Sequence, residues 1–330
     1  MTPEQSQEQK SLVDRIIAPT KEDEALALEF LEELFALKDP IKLEKQKTPE
    51  EVKIIQQINS GLSDFLKLYG IVQIKEMSPE KIHILDRAQL NDEQNNKINS
   101  FSFRGRYFPI KQHIIIIPDG STIADINIMV HEMLHAQSFL SFDVHRLPAQ
   151  AKAGADYDTV KLSQRRVGLK VYTFLNHKPI DVFRALDEAV IEELAKEFYY
   201  KFVSKLPNTK DIFNKAEESK KEHEIDDSDV TDIQTENLSD GSRREIIWSS
   251  GYKKERNDLW DLIDDIFESD KSGEFQSRED VFKLFVHAQM TGHLLKLGRV
   301  INRAYGRGAF KFLGEITKDT HKDDNNLFFY

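Results

Sequence analysis

The chain of 330 residues contains no cysteine. That absence removes disulfides, thiolate nucleophiles and cysteine-ligated metals, so a bound metal would have to use histidine and carboxylates. Long apolar runs are missing as well. None approaches the roughly 18 residues of a membrane-spanning helix, and no membrane partner is expected. The opening stretch, MTPEQSQEQKSLVDR, has no apolar segment of the secretory type, which makes a cytoplasmic location the expectation. Positive charge is in deficit. A net charge of −11 counts against nucleic acid as a partner. Tryptophan occurs twice, at Trp248 and Trp260, and both are expected to anchor the core.

What is present centres on one stretch. Residues 121–140 read STIADINIMVHEMLHAQSFL and contain His131-Glu132-Met133-Leu134-His135, the pattern H-E-x-x-H. At this composition such a pattern arises by chance about 0.03 times per chain. Ile123, Ile126, Met129, Val130, Met133 and Leu134 give the segment the apolar side of a core helix, with Thr122 or Asp125 as its expected cap. Residues four apart stand one turn above each other, so His131 and His135 can share one metal ion. Glu132, next to them, is the type of base that hydrolysis by an activated water requires.

Two histidines do not complete a catalytic zinc shell, which ordinarily has three protein ligands and a water. Asp143 and His145 follow at spacings with no recognisable pattern. Serines at 138 and 141 exclude the extended motif H-E-x-x-H-x-x-G-x-x-H. A more distant source is better. Residues 181–202 have the periodicity of a strong helix, with Asp181 as the expected cap. On it Glu188 and Glu192 are four apart, so one could bind zinc while the other orients a ligating histidine.

HEMLH followed by LDEAVIEELA resembles the thermolysin-type, or gluzincin, zinc metallopeptidases, whose downstream helix carries N-E-A-x-[ST]-[DE]. The resemblance implies that His131, His135 and Glu188 are the metal ligands. Glu132 falls on the general base, and Glu192 on the acid that orients a ligand. Asp187 stands where that group has Asn, and Ile191 where it has Ser or Thr. The resemblance covers about residues 100–200, and the interval between the two motifs implies an insertion. It further implies a Zn2+ cofactor, a peptide or protein substrate, and a His or Tyr donor for the developing oxyanion. Tyr305 and His293, in a helical stretch expected over 279–305, are the candidates for that donor. The alternatives are an inactive zincin-like binding protein, a non-peptidase zinc hydrolase, and a closed structural metal site.

The rest of the chain supplies the frame. Residues 1–70 are expected to be an N-terminal helical segment, with helices over 21–38 (core stripe Leu26, Phe30, Leu31, Leu34) and 49–69. Residues 71–205 are the expected catalytic core. There IVQIKEM, KIHILD, FSFRGRYF and HIIIIP read as strands of a small mixed sheet, and SQRRVGLKVYTFLN as a short hairpin. Gly105 invites a close backbone approach, either as a bulge or as an edge strand that pairs with a peptide. Residues 206–256 are expected to be an acidic mobile loop or linker, because 216–240 hold ten acids against two lysines. Residues 257–330 are the expected C-terminal helical subdomain. Arg165-Arg166 and Arg243-Arg244 read as solvated surface pairs. The fold expectation is α+β, mainly helical, with a zincin-like core and flanking helices.

Overall fold

The computed structural model describes residues 13–36, 43–89, 104–118, 120–146, 160–175, 178–237, 242–316 and 319–320. The chain is an α+β fold with nine α-helices among the described residues. Residues 90–100, residues 101–103 of the FSFRGRYF run and the aromatic tail 321–330 lie outside them.

Two helices carry the centre. Helix α3 (Thr122–Gln137) is capped by Ser121, whose hydroxyl accepts from Ala124 N at 3.2 Å, one residue earlier than expected. It is buried on almost every side, and Val130, Met133 and Leu134 are fully enclosed. Helix α4 (Arg184–Lys201) lies antiparallel beside it, since His135 meets Glu188 and His131 meets Glu192 further along. Asp181 does not cap α4. It sits in strand β8 (Lys178–Val182), and Phe183, with φ of 63°, starts the helix. Helix α2 (Pro49–Lys67), closed by a capping box of Thr48 and Glu51, packs Ile55, Ile58, Leu62 and Phe65 into the same apolar cluster as α3 and α4. It is therefore part of the central core.

Three sheets surround these helices. Strands β2 (Ile82–Ile84), β3 (Gly105–Phe108) and β4 (His113–Ile116) make the small mixed sheet in the order β2-β4-β3, so β3 is an edge. Residues 71–77, expected as a strand, form none. A larger six-stranded sheet runs β1-β5-β6-β7-β8-β11, where β1 is Arg15–Ile17, β5 Leu140–Arg146, β6 Val160–Val167, β7 Lys170–Leu175 and β11 Asp319–Thr320. The expected hairpin around Gly168 is its β6–β7 turn. Helix α1 (Lys21–Ala36) lies on this sheet through Ala27 and Leu31, while Leu26 and Phe30, expected inside, are about half exposed.

The stretch 206–256 corrects the expectation of a mobile loop. It folds as helix α5 (Lys210–Glu222) and a hairpin of β9 (Val230–Asn237) and β10 (Arg243–Ser249). Part of its charge is taken up by ion pairs. Asp229 takes Lys196 at 2.6 Å and Arg256 at 2.7 Å, and these cations overcome its burial to push its pKa down to about 2. Ala216, Val230, Ile233 and Trp248 supply the buried apolar contacts. The expected helix over 279–305 is two helices. Gly292, at φ of 77°, separates α7 (Arg278–Thr291) from α8 (Leu294–Tyr305). Helices α6 (Lys253–Ser269) and α9 (Ala309–Ile316) complete the set. Among the described residues, no helix is long and apolar enough to cross a membrane.

Candidate metal centre

His131, His135 and Glu188 converge between α3 and α4. The two imidazole Nε2 atoms are 3.1 Å apart, and Glu188 Oε2 lies 3.2 Å from that of His135 and 3.4 Å from that of His131. All three residues are buried, and among the described residues they are the one group of three such donors placed to hold a metal ion. Zinc bonds to nitrogen and oxygen are about 2.0–2.1 Å long. A tetrahedral shell of that size sets its donors roughly 3.3 Å apart, close to the spacing here.

Carboxylates behind the ring orient the donors. Glu192 Oε2 is 2.6 Å from His131 Nδ1, so that nitrogen carries a proton and Nε2 turns its lone pair to the cluster. Asp187 stands behind His135, with Oδ2 3.6 Å from Nδ1, beyond hydrogen-bond reach, so it acts on this ring by charge. Oδ2 is buried and has no hydrogen-bond partner. Oδ1 of the same carboxylate accepts from Leu169 N at 2.8 Å, Lys170 N at 3.2 Å and Gln289 Nε2 at 2.9 Å. Without a cation, two imidazole lone pairs and a carboxylate would face one another out of water, an arrangement that is costly unless a proton or a metal enters it. The donor set fits a metal.

Electrostatics agree. Burial pushes the Glu188 pKa up, but with no metal bound the charge of His135, the hydrogen bonds that both imidazoles make when protonated at Nε2 and the nearby Lys170 ammonium hold it well below the usual carboxylate range. Burial pushes His131 down, and its bonds to Glu188 and Glu192 outweigh that and raise it well above the ordinary histidine value. The pocket thus favours negative carboxylates around a positive centre.

Glu132, beside His131 on α3, reaches strand β3. Its Oε2 accepts from the backbone N–H of Tyr107 at 2.6 Å. Ile117 N donates to Arg104 O, and the alternation of an antiparallel ladder then turns the backbone groups of Gly105 and Tyr107 to the open edge of β3. That edge faces Glu132. Gly105 permits the approach, because a Cβ there would stand 2.4 Å from Ile128 Cγ2 and 3.0 Å from Glu132 Cγ.

The two proposed oxyanion donors lie elsewhere. Tyr305 is half exposed and its phenol donates to Asp265 Oδ2 at 2.6 Å. His293 precedes α8 and stacks on His287, with ring centroids 5.7 Å apart. Neither is brought to the cluster. Instead Tyr252, just before α6, lies parallel to the His131 ring at 6.0 Å. The charge of Glu188, then burial, then Glu132 and Glu192 raise its pKa, offset in part by Arg184. No sequence signal marked Tyr252, since it follows a Ser-Ser-Gly turn more than fifty residues beyond Glu188. Asp143 pairs with Arg165 at 3.0 Å, and His145 with Ser163 at 2.9 Å, both away from the cluster. Arg166, expected at the surface, is buried and donates to the carbonyls of Gly168, Ala288 and Gly292.

No protein-family model, no curated protein and no solved structure matches the chain. The resemblance to thermolysin-type enzymes therefore rests on the motif residues and their spacing.

Proposed function

We propose that the chain is a zinc-dependent metallopeptidase. The observation that carries this is the placement of Glu132. It stands on the turn that bears His131 and His135, and it touches the open edge of β3. A three-donor site with a neighbouring carboxylate is the equipment of water-mediated hydrolysis. An open strand edge beside it offers an extended peptide the backbone partners it lacks.

Zinc held by His131, His135 and Glu188 would supply Lewis acidity and a water acidified towards a pKa of ~7. The protein does the rest. Gly105, on the edge of β3 beside the Tyr107 N–H that Glu132 occupies, pairs with the substrate backbone and sets its register. Glu132 accepts a proton from the attacking water at a carboxylate oxygen and passes it to the leaving amine. Tyr252, beside His131, donates its phenolic proton in a hydrogen bond to the oxygen that gains charge. Glu192 keeps the His131 imidazole in the tautomer that offers Nε2, and the Asp187 charge stands behind His135.

The reading is tested by metal analysis of the purified wild type, Glu188→Ala and Asp143→Ala. One zinc per chain in the wild type and Asp143→Ala, with loss or marked weakening only in Glu188→Ala, is the expected pattern. Zinc absent from a fairly reloaded wild type would end the proposal. On a cleaved peptide, Tyr252→Phe is expected to lower kcat about 10²-fold with little change in KM, the scale of one lost oxyanion donor. An unchanged kcat would remove Tyr252 from the chemistry.

A further inference from the structure

Tyr252 occupies a conformation that L-residues avoid. Its φ is 52°, in the left-handed region. Such a residue persists where its surroundings impose it, and it is a reason to ask what the turn is held for. Here four hydrogen bonds impose it. Ser250 N donates to Asp229 O at 2.7 Å, and Gly251 N donates to Glu192 Oε1 at 2.8 Å. Gly251 O accepts from Arg256 Nε at 3.2 Å, and Arg256 N donates to Tyr252 O at 2.9 Å.

Arg256 binds this turn to the scaffold. It is 3% exposed, and its other guanidinium nitrogens meet Glu193 Oε1 at 2.9 Å and Asp229 Oδ1 at 2.7 Å. One planar fork thus joins α4, the approach to β9 and the turn before α6. Adjacent residues of α4 grip the same turn by two routes. Glu193 does so through Arg256, and Glu192 through Gly251 N–H. The other oxygen of Glu192 orients His131.

We propose that Arg256 is a positioning residue that holds the Tyr252 phenol beside His131 and, through Gly251 and Glu192, couples this turn to the metal-binding imidazole. The catalytic half rests on the metallopeptidase reading, whereas the coupling half requires only a metal. Since coupling is reciprocal, metal must tighten the turn by the factor by which the held turn tightens metal.

Amide hydrogen exchange over residues 249–256 tests the coupling in the full chain, with and without zinc. Zinc is expected to slow exchange there about tenfold in the wild type. In Arg256→Met that protection should fall below about threefold and zinc affinity should weaken about 3- to 10-fold, with partial recovery in Arg256→Lys. Kinetics test the positioning. Arg256→Met should lower kcat about as far as Tyr252→Phe, with KM within about threefold, and should cost nothing further in the Tyr252→Phe background. A merely structural arginine would cost the same factor in both backgrounds, and that result overturns the proposal. So does wild-type exchange that ignores zinc. Should Arg256→Met not fold, Glu193→Gln, which leaves the guanidinium paired with Asp229, carries the same comparisons. Zinc-dependent exchange without hydrolysis of any peptide would discard the peptidase reading and keep the coupling.

Discussion

Glu132→Gln is expected to lower kcat/KM for peptide hydrolysis by about 10²–10⁴-fold, with zinc content and thermal stability at wild-type levels. The argument rests on what the substitution keeps. Glutamine has nearly the same shape, and its amide oxygen can still accept from Tyr107 N–H, which the carboxylate now does at 2.6 Å. The three proposed metal donors are other residues, so the ion is expected to stay. What disappears is the capacity to take a proton and return it, and that range corresponds to about 3–5 kcal/mol of barrier. Glu132→Ala serves as the contrast. It strips the same base but also leaves the Tyr107 N–H unpaired against a buried helix. An added loss of about 1–3 kcal/mol in stability is therefore expected for Ala and not for Gln. Kinetics on one cleaved peptide, with denaturant unfolding of both variants, would separate the two effects. If Glu132→Gln kept more than a tenth of wild-type activity, another group would be the base and the mechanism would fall.

Residues that act at one helical repeat were readable from the sequence, and those that act across the fold were not. His131 and His135 share a helix face by spacing alone, as do Glu188 and Glu192, and the structure places the two pairs opposite each other. Asp187 was visible only as a departure from an expected Asn. Its role appears when the β6–β7 turn closes on it. Tyr252 had no local signature because its position depends on a turn held by residues 20 to 60 positions away, Asp229, Glu192 and Glu193. The guesses of Tyr305 and His293 followed a helical pattern that says nothing about which way a distant helix faces. Gly105 is intermediate. A glycine in a strand signals close approach, and the structure identifies the neighbours as Ile128 and Glu132. The acidic stretch misled for a physical reason. Composition counts charges without their partners, and here Lys196 and Arg256 neutralise Asp229 while Ser121 binds Asp232. Strand β5 was legible in principle, because Leu140, Phe142 and Val144 alternate and all are buried.

Gly168→Ala should destabilise the protein by about 2–4 kcal/mol and weaken zinc binding roughly 10- to 100-fold, although residue 168 touches neither metal nor substrate. The glycine turns the β6–β7 hairpin at φ of 58°. A Cβ there would stand 2.0 Å from Gln289 Nε2 and 2.4 Å from Asp187 Oδ1. Neither side chain can step aside cheaply. Both are fully buried. Gln289 donates to Asp187 and to Ser138 Oγ while accepting from Leu169 N, and Asp187 is gripped by two backbone N–H groups of the turn. The added methyl must therefore open the hairpin or push Asp187 away from His135 Nδ1, and either loosens the carboxylate that stands behind this proposed ligand. Gly70→Ala isolates the backbone contribution. Gly70 also has a positive φ, 76°, but nothing lies within 4 Å of a Cβ placed there. It should lose only about 1 kcal/mol and bind zinc as the wild type does. Zinc titration and urea unfolding of both variants decide the matter. Wild-type zinc affinity in a folded Gly168→Ala would mean that Asp187 does not orient His135, and Glu192 would then be the one carboxylate behind the metal site that matters.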